Sequence, residues 1–345
     1  MNRRGVLDNR DVVIGIIGYG YWGPNLCRNF FELDGVRLKY ICDSSQEKLD
    51  EAGRRFPRVE LATEIQTVLD DDEVEAVVMA SSAVTHYPLA KRALLAGKHV
   101  MVEKPLSLEV EQGRELVDLA EKNGRILMVG HLLIYHPAVD YLKKYLDSGE
   151  AGEFCYIYSQ RLNLGRLRRD ENCLWSLAPH DISVMLYLFE IEPESVVARG
   201  ASYLQDGLED VVFCTLYFPG KKIGNLHVSW LDPHKTRKFT IVGKEKMLVF
   251  DDMSTDEKVR VFDKRAYYLD LELGNEPQIH YGDQTVPFIR WEEPLRKECA
   301  HFRDCVREEK KPLSDGEQGL RVVKVLSAAT KSLELNGQPV ALEKA

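Results

Sequence analysis

Hydrophobic residues in the first third of the chain fall in short, nearly continuous runs. Val12-Val13-Ile14-Gly15-Ile16-Ile17, Val36 to Cys42, Ala76-Val77-Val78-Met79-Ala80, His99-Val100-Met101-Val102 and Ile126 to Val129 each read as a strand. A strand covered on both faces of a parallel sheet needs no polar alternation, which is the pattern seen. Between the runs, Gln46 to Phe56, His86 to Ala96 and Leu108 to Asn123 have helical spacing, the last two closed by Gly97 and Gly124. Strands alternating with helices predict right-handed crossovers and a doubly wound α/β domain over residues 1–131.

From residue 132 the pattern changes. Leu174 to Phe189 reads as a helix, followed by strands at 195–204, 211–218, 223–230, 238–243 and 247–251 with few helices between them. Within Ile223 to Trp230, Leu226, Val228 and Trp230 alternate with Asn225, His227 and Ser229, the period of a strand with one buried and one polar face. Residues 132–345 are therefore expected to form an α+β substrate-binding and oligomerisation domain around a large, open, mainly antiparallel sheet. Its uncovered face is a natural subunit contact, so a homodimer or homotetramer is expected. Glu317 to Leu333, broken by Asn336-Gly337, reads as an amphipathic structural helix.

Composition narrows the function. The formal charge of −9 over 345 residues argues against a nucleic-acid surface, which needs concentrated Lys and Arg. No stretch approaches the roughly 18–20 apolar residues of a membrane span, and no apolar run follows the basic residues of the first segment, so a cytoplasmic protein is expected. The seven cysteines include no C-x-x-C pair and read as reduced, mostly buried thiols; no cysteine–histidine cluster has metal-ligand spacing, and no metal is expected.

The first strand runs directly into Gly18-Tyr19-Gly20-Tyr21-Trp22-Gly23, with Pro24 at the first turn of the next helix. Gly18 suits a tight turn, Gly20 a close approach of backbone to pyrophosphate, and Gly23 close helix–strand packing, with the helix N-terminus facing the negative charge. The second strand ends at Asp43, 20 residues after Gly23, where a carboxylate would bind the adenosine ribose hydroxyls and repel a 2′-phosphate. No arginine stands in Asp43-Ser44-Ser45-Gln46, so NAD is favoured over NADP. Asp43 also fits a helix N-cap, a role open to Ser44 or Ser45. Ser81-Ser82 and Glu103-Lys104-Pro105 follow strand ends and fall at the same cofactor edge.

At Glu103-Lys104-Pro105 the chain resembles the glucose-fructose oxidoreductase and inositol dehydrogenase family. The matching pieces are Gly18 to Gly23, Thr85-His86, Ala96-Gly97-Lys98-His99-Val100, Glu103-Lys104-Pro105, Gly130-His131, Ala178-Pro179-His180-Asp181 and Asp315-Gly316-Glu317-Gln318-Gly319-Leu320. The stretch from Gly20 to Asn25 and Leu174 to Asp181 resembles the branch acting on nucleotide-linked amino sugars, such as 3-dehydrogenases of UDP-N-acetylglucosamine. The resemblance implies an NAD-dependent sugar dehydrogenase or reductase. It implies that Tyr21, Trp22, Ser81, His86, Glu103 and Lys104 join the three glycines and Asp43 at the cofactor. It also implies that Lys104 and His180 are catalytic, His180 as the acid/base or its partner, with Pro105 helping to fix the Lys104 turn and its peptide bond cis in some members. General chemistry agrees, because dehydrogenating a secondary alcohol needs a group to take the hydroxyl proton.

Many members carry Asp four residues before the catalytic histidine, where this chain has Ser176. Serine can bond a sugar hydroxyl but cannot stabilise an imidazolium as a charge, so Asp181, another acid or Lys104 must compensate, or activity is reduced. Arg161, Arg166, Arg168 and Arg169 fall within nine residues, where forked guanidiniums suit a sugar-nucleotide diphosphate and Asn163 and Gly165 suit a loop approaching it. Tyr135 and His136, just after the domain crossover, are read as lining the sugar pocket, with simple packing the other reading of Tyr135. The readings to weigh are a UDP-linked amino-sugar enzyme working at C3, a dehydrogenase of a free sugar, cyclitol or glycoside, and a non-catalytic NAD(H)-binding regulatory protein.

Overall fold

The computed structural model describes residues 10–165, 167–169, 171–268 and 276–342. The chain divides into two compact units, residues 1–135 with 292–323, and residues 136–291 with 324–345.

In the first unit, β1 (Val12–Ile17), α1 (Gly23–Phe31), β2 (Val36–Cys42), α2 (Gln46–Arg55), β3 (Glu60–Ala62), α3 (Ile65–Leu69), β4 (Ala76–Met79), α4 (Ala83–Leu95), β5 (His99–Glu103), α5 (Val110–Lys122) and β6 (Leu127–Gly130) follow in chain order. The strands form one parallel sheet in the order β3-β2-β1-β4-β5-β6. This is the doubly wound order in which the chain reverses direction between β1 and β4, leaving a crevice at the carboxyl ends of the strands. Every residue of β1, β4 and β6 is buried, which accounts for their unbroken apolar runs.

The second unit contains α6 (Pro137–Asp147), β7 (Phe154–Leu162), α7 (Cys173–Phe189) and strands β8 (Ser195–Ala201), β9 (Val211–Phe218), β10 (Lys222–Ser229), β11 (Thr236–Gly243), β12 (Met247–Asp251), β13 (Val259–Tyr267) and β14 (Gln278–Thr285). Two more helices, α8 (Pro294–Glu308) and α9 (Gly316–Glu334), precede the short β15 (Val340–Ala341). Nine strands make one sheet, ordered β14-β13-β12-β11-β7-β10-β9-β8-β15 and antiparallel except at β7–β10. Helix α7 packs on β7, β9 and β10 and buries Ile182, Met185 and Leu186 there.

Two sequence expectations change. Residues 292–323 belong with the first unit, although they lie far down the chain. Helix α8 packs on α1 and β1, with the Phe30 and Phe302 rings edge-on at 6.4 Å and Arg28 paired to Glu293 at 2.5 Å. Beyond it, Met128 bridges Asp315, the Val129 N–H donates to the Ser314 carbonyl at 2.7 Å, and Gly319 lies so close to β6 that a Cβ would stand 2.4 Å from Val129 Cγ2. The glycines of the Asp315-to-Leu320 motif thus close the edge of the parallel sheet.

The uncovered face of the large sheet is also less polar than its alternation predicts. Cross-strand rows place Tyr156, Ile223 and Tyr217 side by side, and put Phe213, 52% exposed, opposite His227. The β10 segment alone shows Asn225 and His227 on this face, whereas its neighbours contribute the aromatic rings.

Candidate active site

The glycine turn is built as its spacing requires. Gly18 has φ +103°, and a Cβ there would lie 2.7 Å from the backbone of Ala80 and Ser81, so the turn is pressed against the loop after β4. A Cβ on Gly23 would reach the Gly18 carbonyl at 2.5 Å. At Gly20, by contrast, a Cβ would meet nothing within 4 Å, leaving room for another group to approach the backbone. Tyr21 is 78% exposed beside it.

Asp43 is fixed rather than free. Its Oδ2 accepts from the Tyr19 N–H at 2.7 Å and its Oδ1 from the Ser45 N–H at 2.9 Å, while the Lys48 ammonium stands 3.5 Å from Oδ2. Helix α2 starts after Ser45 without a side-chain cap bond, so the carboxylate braces the glycine turn as well as the loop entering α2. Ser81 Oγ accepts from the Thr85 hydroxyl at 2.7 Å.

The Glu103-Lys104-Pro105 turn closes β5, and the Lys104–Pro105 peptide bond is cis. His86 has a different place from the cofactor contact expected of it. Its ring is buried, with Nδ1 2.7 Å from the Pro105 carbonyl and Nε2 3.2 Å from that of Ser81. Burial depresses its pKa despite those two carbonyls, and a neutral ring has a single N–H, so it donates to one of them, the Pro105 carbonyl being the nearer, while its other nitrogen only packs against the loop after β4.

Glu103 reaches the glycine turn. Burial pushes its carboxyl up to about 7, opposed by the Lys104 ammonium, the Lys104 backbone N–H and a hydrogen bond from the Trp22 side chain. Its Oε1 has no hydrogen-bond partner. His131, one residue beyond β6, is buried with both ring nitrogens unpartnered, and burial together with the Lys104 charge lowers it to about 3. Lys104 itself is half-buried among these groups.

In the second unit, α7 carries Ser176 and His180 one turn apart. Asn172 caps it by accepting from the Trp175 N–H at 3.1 Å, and Pro179 removes one rung of the helical ladder immediately before His180. Ser176 is buried and His180 half-buried. Asp181 does not serve as the acid missing at position 176. It is 0% exposed and accepts from Arg161 Nε at 2.5 Å, while burial raises its pKa against the pull of Arg161.

Arg161 is accordingly turned into the core, 6% exposed, instead of outward to an anion. Strand β7 places its side chain on the same face as Ile157, which α7 covers. Arg168 pairs with Glu171 at 2.9 Å and keeps an exposed edge, and the Asn163 side chain lies over Gly165, where a Cβ would stand within 1.9 Å of Nδ2. Arg166 lies outside the described residues. Tyr135 belongs to the packing of the first unit, since its hydroxyl is 2.8 Å from Ser314 Oγ and its ring stacks at a tilt on His301.

Sequence reasoning passed over Glu298. It sits on α8, 0% exposed, with both carboxyl oxygens unpartnered. The signal was available in periodicity, because Leu295, Cys299, Phe302, Cys305 and Val306 form the buried stripe of α8 and Glu298 falls inside it.

Residues 12–131 match the family model described as "Oxidoreductase family, NAD-binding Rossmann fold", and residues 139–249 match the GFO/IDH/MocA C-terminal domain. The chain belongs to the GFO/IDH/MocA oxidoreductase family. It is an NAD-binding oxidoreductase with a parallel six-strand Rossmann sheet and a second, mostly antiparallel sheet. It is similar to the UDP-N-acetylglucosamine 3-dehydrogenase of Acidithiobacillus ferrooxidans, at 24% identity over 90% of this chain and 93% of that protein. The scyllo-inositol 2-dehydrogenase (NAD(+)) of Bacillus subtilis is 24% identical over 96% of this chain and 94% of its own. Among solved structures, an oxidoreductase from Magnetospirillum magnetotacticum superposes with a TM-score of 0.79 at 29% identity, covering 92% of this chain and 99% of that one.

The residues fit the cofactor: open space before Gly20, a braced carboxylate at Asp43, and Glu103 tied to Trp22. Gly18, Gly20, Gly23 and the helix α1 N-terminus would hold the pyrophosphate and Asp43 the adenosine ribose. Among the described residues no helix is long and apolar enough to cross a membrane.

Proposed function

We propose that this oxidoreductase works in the cytoplasm on a sugar, interconverting a secondary hydroxyl and a keto carbon, with a UDP-linked amino sugar at C3 as the leading substrate. The carrying observation is the half-buried Lys104 at the carboxyl end of β5, beside a Glu103 carboxyl bonded to the glycine turn. The bound nicotinamide supplies a hydride acceptor or donor. Lys104 and His180 move the hydroxyl proton, and Ser176 holds a sugar hydroxyl. The likeness to the UDP-N-acetylglucosamine enzyme supports the nucleotide sugar.

A second reading, a free sugar, cyclitol or glycoside, is favoured by one observation. Arg161 is committed to Asp181, so a diphosphate would lose one of the four clustered guanidiniums and rest on Arg166, Arg168 and Arg169. Mass spectrometry of the protein purified without additives, followed by NAD reduction assays with UDP-N-acetylglucosamine and with inositols, separates the two. Turnover on neither class would refute both. We also assign the aromatic open face of the large sheet to contact between copies in a homodimer or homotetramer. Phe213→Arg combined with Tyr156→Arg is expected to yield monomers on sedimentation, and an unchanged assembly would refute that assignment.

A further inference from the structure

Lys104 stands on a turn that is held on both sides of it. Before it, Glu103 ends β5 in register with Gly130 of β6, where a Cβ would lie 3.1 Å from the Glu103 carboxyl carbon and from both its oxygens. After it, Leu106 and Ser107 are 0% exposed. Leu106 fits between two glycines, since a Cβ on Gly113 would stand 3.6 Å from its Cδ2 and one on Gly319 3.4 Å from its Cβ, and the Ser107 hydroxyl donates to the Glu109 carbonyl at 2.8 Å. Between these anchors, the Pro105 carbonyl meets a side chain from another element, His86 of α4, which is 1% exposed and brings Nδ1 to 2.7 Å. At that distance from a carbonyl oxygen Nδ1 carries the proton, because two acceptors do not approach so closely. Nε2, 3.2 Å from the Ser81 carbonyl, then has no proton to offer, so the bond to Pro105 is the one that sets the ring.

We propose that His86 is a positioning residue for Lys104: its Nδ1–H, held out from α4, fixes the Pro105 carbonyl and with it the stretch of backbone from which the Lys104 side chain rises. The need for such a strut follows from the lysine itself. Its ammonium ends a flexible four-carbon stem, so any play in the backbone at the root of that stem adds directly to the spread of positions at its tip. A displacement of about 1 Å at a reacting group costs up to roughly a hundredfold in rate. Helix α4 is a firm base for the strut, because the Thr85 hydroxyl, one residue before His86, bonds Ser81 Oγ and the Ser82 carbonyl, each at 2.7 Å. The backbone of Ser81 is in turn pressed against Gly18, where a Cβ would lie 2.7 Å away, so the helix that orients the Lys104 turn is seated on the wall of the glycine turn. The buried ring is neutral, and replacing it by a neutral side chain leaves the charge around Lys104 as it was. A change in Lys104 after such a replacement therefore reports a change of place.

This rests on the reading of Lys104 as a group that moves the substrate proton, and the variants separate the two. His86→Asn places an amide N–H close to the position of Nδ1, His86→Gln places one on the far side of the ring toward Ser81, and His86→Leu has no donor. Turnover is expected to stay within about threefold of wild type in His86→Asn and to fall roughly tenfold to a hundredfold in His86→Gln and His86→Leu, with NADH affinity within about threefold in all three. A second measurement needs no substrate. The rate at which acetic anhydride acetylates Lys104, followed by mass spectrometry across pH, gives the pKa of its ammonium, which should match wild type in His86→Asn and move away from it in His86→Gln and His86→Leu. The same Lys104 titration in His86→Asn and His86→Gln would overturn the proposal, as would equal turnover in those two where Lys104→Ala abolishes it. Should His86→Leu fail to fold, the comparison of Asn with Gln decides. Turnover untouched by Lys104→Ala would retire the catalytic reading of the lysine, and the acetylation arm would still decide whether His86 sets its place.

Discussion

The Tyr19 backbone N–H donates to Asp43 Oδ2 across 2.7 Å, so the acid at the end of β2 is oriented by the glycine turn itself. Its charge therefore stands at a fixed point next to the place where an adenosine ribose would lie. The protein is expected to bind NADH well and NADPH poorly, with Asp43→Ala narrowing the gap by removing the repulsion. Lys48, 3.5 Å from Oδ2, is a nearby cation that the sequence around Asp43 did not bring to notice. In Asp43→Ala it should become a partner for the 2′-phosphate, so adding Lys48→Ala should reduce the NADPH binding gained. Titration of the three proteins with both cofactors checks this, and equal affinities in the unmutated protein would sink it.

The glycine turn separates folding from binding. Gly20→Ala adds a methyl where the protein has no atom within 4 Å, so the melting temperature should hold while NADH affinity drops about tenfold or more. Gly18→Ala meets backbone at 2.7 Å at a φ of +103°, and is expected to lower the melting temperature as well. A Gly20→Ala protein binding NADH normally would remove Gly20 from the pyrophosphate site.

Much of the first unit was legible because parallel strands buried on both faces announce themselves as apolar runs; β1 and β2 begin and end where the pattern places them. The glycine turn was equally open, since its constraints are local. Burial on α8 and the return of residues 292–323 were not, because both depend on contacts with α1 and β6 more than 180 residues away in sequence. Arg161 misled for a related reason. A cluster of arginines looks like an anion site, and only the pairing of β7 with α7 reveals that one of them faces inward.

That inward pair makes a stability prediction. Asp181→Ala leaves the Arg161 guanidinium buried and uncompensated, and should destabilise the protein by about 3–5 kcal/mol, measured by denaturant unfolding. Arg161→Met with Asp181→Leu should recover most of the loss. Arg168→Ala, on an exposed side chain, should change stability by no more than about 0.5 kcal/mol, and should weaken UDP-sugar affinity if the loop grips a diphosphate. An Asp181→Ala protein as stable as the parent would contradict the buried pairing.

His99 gives a pH dependence of defined sign. Its Nδ1 accepts from the Ile126 N–H at 3.0 Å, and burial together with Arg125 lowers its pKa to about 4. The unfolded imidazole titrates near 6.5, so between these values the unfolded chain holds the extra proton and stability falls as pH falls. Glu103, raised to about 7, acts in the opposite sense over part of the same range, so the difference between wild type and His99→Gln is the informative quantity. That difference should be constant above pH 6.5 and shift against the wild type as pH drops toward 4, with a slope of at most about 1.4 kcal/mol per pH unit. A difference independent of pH across this range would show that His99 is not held neutral.

The proposed chemistry makes the final prediction. Lys104 is half-buried at the carboxyl end of β5, where its charge acts on the Glu103 carboxyl and on the neutral His131. His180 stands half-buried on α7, and its neighbour Asp181 is already committed to Arg161, so no carboxylate from position 181 is free to stabilise an imidazolium. If both residues move the hydroxyl proton, Lys104→Ala and His180→Ala should each lower turnover by roughly 10²–10⁴, the range general acid–base groups supply, with NADH affinity little changed. Ser176 lies one helical turn before His180, so Ser176→Asp would restore an acid on the same face. Turnover in that variant should be preserved or raised, and its low-pH limb should move to higher pH as the new carboxylate stabilises the imidazolium. Since an adjacent carboxylate favours the charged ring, the pKa read from kcat/KM should rise in Ser176→Asp. Unchanged turnover in Lys104→Ala or His180→Ala would remove that residue from the reaction.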